Sequence, residues 1–146
     1  MQQAIIGEIL DGTIRRESPH YHLYLVRDGE VVFYIGQASS IYDRLETHLG
    51  IGDWGKQASR LGRLVSGNLP ESRDWVIELY SLEDCEQLTI GHMVDIGVVW
   101  FNEELYYNAG GGVDFAEQSL IALHHPCLNT TYNPDPNLLP ERYWNK

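Results

Sequence analysis

The sequence predicts a domain of mixed α and β structure whose strands pair antiparallel, and three observations carry that expectation. Residues 20–26 alternate apolar and polar positions, residues 31–35 are rich in β-branched and aromatic side chains, and Arg27-Asp28-Gly29-Glu30 between them centres Asp-Gly, a hairpin signal. The pattern then turns helical, with Ile41, Leu45 and Leu49 as an apolar stripe, Ser39 or Ser40 as cap and Gly50 as stop. Alternation returns over residues 74–81, where Trp75, Ile77 and Leu79 fall on one side of a third strand.

The remaining elements follow in chain order. Residues 4–10 read as a short strand or lead-in, ended by Asp11-Gly12. If Asp28-Gly29 forms the tight turn, Tyr24 and Tyr34 sit at an odd offset about it, so both rings reach one face only through a bulge or strand twist. Arg44 and His48 are four apart and share a helix face. Residues 57–65 suit a second short helix; Lys56, Arg60 and Arg63 recur at helical spacing, as either a phosphate-backbone contact or a solvated face. Residues 82–113 are rich in apolar and aromatic side chains and close on the triple glycine 110–112, which reads as a phosphate cradle at the next helix N-terminus or, since no Lys-Ser/Thr follows as in a P-loop, as a flexible joint. Asp114-Phe115-Ala116-Glu117 fits a capping box, with Asp114 as N-cap and Glu117 at the third helical position. Residues 133–146 hold three prolines and read as extended chain over the surface.

Composition bounds the function. A length of 146 residues with 43% hydrophobic content suits one globular core. No apolar run approaches the ~20 residues that span a bilayer, and residues 1–10 lack the basic start of a secretory signal. Cys85 and Cys127 form no CxxC pair, so an intracellular, cytoplasmic protein with reduced thiols is expected. The net charge of −11 argues against indiscriminate nucleic-acid binding, but it is unevenly spread. Residues 1–73 carry eight Lys/Arg against nine Asp/Glu, and residues 74–146 carry two against twelve, so one half can approach phosphate while the other repels it.

The candidate chemistry lies in two stretches. Within residues 21–49, Tyr24 and Tyr34 are ten residues apart, Arg44 is ten further on, and His48 follows one helical turn later. Residues 116–129 add one carboxylate, Glu117. These supply a proton acceptor, a cation for the phosphate and an oxygen ligand for a divalent metal, which is what phosphodiester hydrolysis requires. On spacing alone, each has a plainer reading: packed strand tyrosines, a surface arginine, an exposed histidine and a helix cap.

The layout resembles the GIY-YIG nuclease family. His22-Leu23-Tyr24 matches the first motif, with His22 where the first glycine usually sits, and Tyr34-Ile35-Gly36 is the second motif intact. Gln37 follows where many members have lysine. Arg44 and His48 match the helix arginine and histidine, Glu117 the metal-binding glutamate, and Asn129 the closing asparagine. The resemblance implies an α+β fold with a small central antiparallel sheet of about three core strands flanked by helices. It implies a single domain over residues 1–146, with an insertion at about 82–113 between the third strand and the Glu117 helix, there for target or partner recognition. It implies a DNA endonuclease using one Mg²⁺ or Mn²⁺ ion. Tyr24, Tyr34, Arg44, His48 and Glu117 would be catalytic, with Glu117 as metal ligand, Gly36 and Asn129 in support, and Lys56, Arg60 and Arg63 on the nucleic acid. Such a chain is either a stand-alone enzyme or a subunit that borrows targeting from a protein partner or a second copy of itself. The alternatives are a non-catalytic nucleic-acid-binding module that retains the fold, and a protein-interaction module whose acidic half docks a basic partner.

Overall fold

The computed structural model describes residues 1–13, 21–38, 41–49, 59–95 and 111–144. Lys56, the candidate caps Ser39 and Ser40, the candidate stop Gly50 and positions 96–110 lie outside the described residues. The architecture is α+β, built on a four-stranded antiparallel sheet. Its strands are β1 (Gln2–Ile5), β2 (Tyr21–Asp28), β3 (Val31–Gln37) and β4 (Val76–Ser81), in the spatial order β1-β4-β2-β3.

The fourth strand, beyond the three expected, comes from the N-terminal lead-in. β1 stops at Ile5 because the Glu8 carboxylate turns back to accept the Ile5 N–H at 3.0 Å, and α1 (Ile6–Leu10) begins there. The third predicted strand starts two residues later than expected, because Asp74 belongs to a 3-10 turn over Glu71–Asp74.

The hairpin differs from the expected one in a way that decides where the tyrosines point. Its central residues are Gly29 and Glu30, not Asp28 and Gly29, and Gly29 takes φ +57°, the first-position glycine of a tight hairpin turn. Asp28 stays in the strand, where its carboxylate accepts the Tyr143 hydroxyl at 2.5 Å. Regular pairing from this turn would set Tyr34 opposite Leu25, on the far face from Tyr24. The pairing instead jumps from Arg27↔Val32 to Val26↔Tyr34, leaving Phe33 as an extra residue. That bulge turns Tyr34 onto the face of Val26 and Tyr24, with Phe33 buried in the same cluster.

Both faces of the sheet are covered, so residues 23–26 in β2 are all buried rather than alternating. One face, carrying Tyr24, Val26, Phe33, Ile77 and Leu79, packs on α1, α2 (Ile41–Leu49) and α3 (Arg60–Gly67). The other, carrying Leu23, Leu25, Ile35 and Tyr80, packs on α4 (Leu82–Asp95) and α5 (Gly111–His124). The start of the 82–113 segment is therefore a helix that continues directly from β4. Residues 133–144 do more than lie over the surface. Tyr143 is 5% exposed and meets Phe33 and Trp75 with ring centroids 4.9 and 5.6 Å away, both nearly perpendicular. Among the described residues no helix is long and apolar enough to cross a membrane.

Candidate active site

β3 is an edge strand, and its outer side is closed by the chain leaving α5. The N–H groups of Cys127 and Leu128 donate to the carbonyls of Val32 and Phe33 at 3.2 and 2.9 Å. Asn129 then acts as a side-chain strand partner: its Oδ1 accepts the Ile35 N–H at 2.9 Å and its Nδ2 donates to the Ile35 carbonyl at 2.8 Å. Asn133 secures this segment by donating to the carbonyls of Asn129 and Pro126. The clasp satisfies buried backbone groups and fixes α5 beside the Tyr34-Ile35-Gly36 motif.

A cavity of about 300 Å³ opens at this junction, lined by Tyr34, Gly36 and Gln37 from β3, Glu117 from α5, and Asn129 and Thr130. Glu117 is half-buried, and its carboxyl is held above the usual range by burial and then by the neighbouring Asp114. Asp114 is not an N-cap: α5 begins three residues earlier, at Gly111, so the capping box is displaced. Its Oδ1 instead accepts from Gln37 Nε2 at 2.8 Å, tying α5 to the end of β3.

Tyr24, Tyr34 and His48 form a triangle of rings, with centroid separations of 6.0 Å between the tyrosines and 6.2 and 5.4 Å to the imidazole. The Tyr24 hydroxyl and His48 Nε2 are 2.9 Å apart, and His48 Nδ1 lies 2.6 Å from Ser59 Oγ. Ser59 also caps α3, accepting the Gly62 N–H at 3.2 Å with an extended backbone that ends any helix before it. The helix expected over 57–65 therefore begins at Arg60. Ser59 was missed as a site residue, although a serine ahead of Arg60-Leu61-Gly62-Arg63-Leu64-Val65 is itself a cap signal.

Burial separates the two tyrosines. Tyr24 is 1% exposed, and Tyr34 is partly open to the cavity. Burial raises both phenols; Tyr34 and Glu117 add to the rise at Tyr24, Glu117 adds to it at Tyr34, and the Arg44 guanidinium opposes it at each. Burial and then Arg44 hold His48 below the ordinary imidazole range, which favours the neutral ring. Arg44 is exposed on the same face of α2 as His48.

The site thus brings together Tyr24, Tyr34, Gly36, Arg44, His48, Glu117 and Asn129. Arg60 and Arg63 are exposed on α3, apart from this cavity. A half-buried carboxylate beside an amide and hydroxyls is a hard-oxygen donor set, which suits Mg²⁺ or Mn²⁺ keeping most of its ligands as water. Among the described residues no group of three or more His, Cys, Asp or Glu gathers as a closed metal cage.

No protein-family model, curated protein or solved structure matches this chain.

Proposed function

We propose that this chain is a GIY-YIG-type endonuclease that hydrolyses DNA phosphodiester bonds with one divalent ion held at Glu117. The observation that supports this reading most is the meeting of Glu117 with Tyr34 in one cavity, 83 positions apart in sequence, beside the Tyr24–His48 pair and within reach of Arg44. Packing alone does not require a half-buried carboxylate facing two phenols, since its charge raises the cost of ionising each of them.

In this reading the ion, when bound, offsets charge developing on the phosphate. Arg44 supplies charge-assisted hydrogen bonds to the phosphate oxygens. Tyr34, the phenol that opens onto the cavity, first gives its own proton to solvent once nearby positive charge has brought its pKa down toward neutrality, and the resulting phenolate receives the proton of the attacking water. Tyr24 is enclosed and hydrogen-bonded to His48 Nε2, so it orients Tyr34 rather than touching water. Gly36 leaves the space these rings occupy, and Asn129 holds the strand that carries them.

The test is nicking of supercoiled plasmid in Mn²⁺ or Mg²⁺ by the wild type and Glu117→Gln. Nicking that disappears with the substitution supports the enzyme. DNA binding by both proteins without nicking assigns the chain to the non-catalytic binding module.

A further inference from the structure

A second depression, of about 380 Å³, lies next to the cavity and shares Leu128 with it. Its walls combine the guanidinium-bearing Arg60 and Arg63 of α3 with the indole of Trp144, over a floor of Leu128, Leu139 and Tyr143. Its size falls in the ~300–1,000 Å³ range of small-ligand sites. Two features set it apart from ordinary surface. Among the described residues Arg27 pairs with Glu78, Arg73 with Asp11, and Arg142 bonds the Tyr143 hydroxyl, whereas no described carboxylate forms an ion pair with Arg60 or Arg63. The Trp144 indole is 56% exposed, yet its N–H is fixed on the Leu139 carbonyl at 2.9 Å, which orders an aromatic surface instead of burying it.

Exposed guanidinium groups and an ordered aromatic ring over an apolar floor are the components of a stacking platform for unpaired nucleotides. In a chain of net charge −11, basic side chains left without a described acidic partner complement a polyanion. We infer that this depression is a subsite for an unpaired nucleotide flanking the cleaved bond, its base stacked on Trp144 and its phosphates on Arg60 and Arg63. The inference deepens the nuclease reading and rests on it for the identity of the bond, but the subsite binds without cleavage. It makes a substrate with a single-stranded segment beside the cut the preferred one.

The experiment measures equilibrium binding of a fluorescein-labelled 12-nucleotide single strand, and of the same sequence as blunt duplex, in Ca²⁺ so that cleavage does not intervene. Trp144→Ala should weaken single-strand binding about 5- to 150-fold, the worth of one base–aromatic stack, with Trp144→Phe recovering most of it. Arg60→Gln with Arg63→Gln should flatten the salt dependence on the single strand by one to two units of slope. Unchanged single-strand affinity in Trp144→Ala overturns the inference, as does an equal loss on blunt duplex, which would mark backbone contact without stacking. No single-strand binding by the wild type overturns it too. Plasmid nicking is scored separately, so a wild type that nicks while Trp144→Ala binds normally loses the subsite and keeps the enzyme. A Trp144-dependent binder that never nicks loses the enzyme and keeps the subsite.

Discussion

Gly36 makes room for the Tyr24 hydroxyl across the β2–β3 pair: a Cβ at position 36 would lie 2.5 Å from Tyr24 Oη, 2.6 Å from its Cζ and 2.9 Å from Tyr34 Cε1. Tyr24 cannot retreat, because it is enclosed and bonded to His48. Gly36→Ala should therefore cost about 1–3 kcal/mol by overpacking, read from urea unfolding. Nicking should fall further than stability accounts for, since the displaced ring is the one that sets Tyr34. A variant as stable and active as wild type would mean the rings part without consequence.

The unequal exposure of the two tyrosines predicts unequal kinetic losses. Tyr34→Phe should lower kcat by about 10²- to 10⁴-fold, the usual worth of a positioned proton acceptor. Tyr24→Phe should lower it less and should shift the His48 titration, since of the two tyrosines it is Tyr24 that bonds that ring. NMR titration of the His48 ring with parallel single-turnover kinetics checks both. Equal losses, or a larger one for Tyr24→Phe, would reverse the roles.

Glu117 predicts a pH dependence with a definite sign. Its folded-state carboxyl binds protons more tightly than in the unfolded chain, because burial and Asp114 disfavour the charge. The stabilisation from that tighter binding is present below the unfolded value of ~4.3 and is lost as pH rises through the elevated folded value. Glu117→Gln should thus be slightly more stable than wild type at pH 7 and no more stable at pH 3.5. Added Mg²⁺ should raise the wild-type Tm and leave that of Glu117→Gln unchanged. Thermal melts at the two pH values, with and without the ion, test each statement.

Asn129→Ala removes two hydrogen bonds at once and strands the Ile35 N–H and carbonyl at a buried edge. A loss of about 2–4 kcal/mol is expected. Amide exchange at Ile35 should accelerate before that of β2. An Ile35 amide as protected as in wild type would show that Cys127 and Leu128 hold the edge unaided.

Much of the frame was legible because it rests on local signals. Residues 20–35 announced antiparallel pairing, and Trp75, Ile77 and Leu79 share the buried face their alternation predicted. What escaped depended on tertiary partners. A bulge or strand twist was the expected route to a shared face for the two tyrosines, but the bulge's place at Phe33 follows from which rings the core could bury. Asp114 has the spelling of a cap, yet α5 starts at Gly111 and gives that carboxylate to Gln37. Ser59 was readable as a cap, but its hold on His48 requires α2 and α3 to be side by side. The amide of Asn129 filling a strand edge is a relationship across 94 positions, which no window along the chain can display.

The additional residue at Phe33 makes parity a determinant of this hairpin, alongside the identity of its side chains. Deleting or inserting one residue between Tyr24 and Tyr34 would send one phenol through the sheet to the side covered by α5, whereas a change of two would return it. Homologous hairpins and engineered loops should therefore vary in even steps, and an odd step would leave both tyrosines in the sequence but no longer in each other's company.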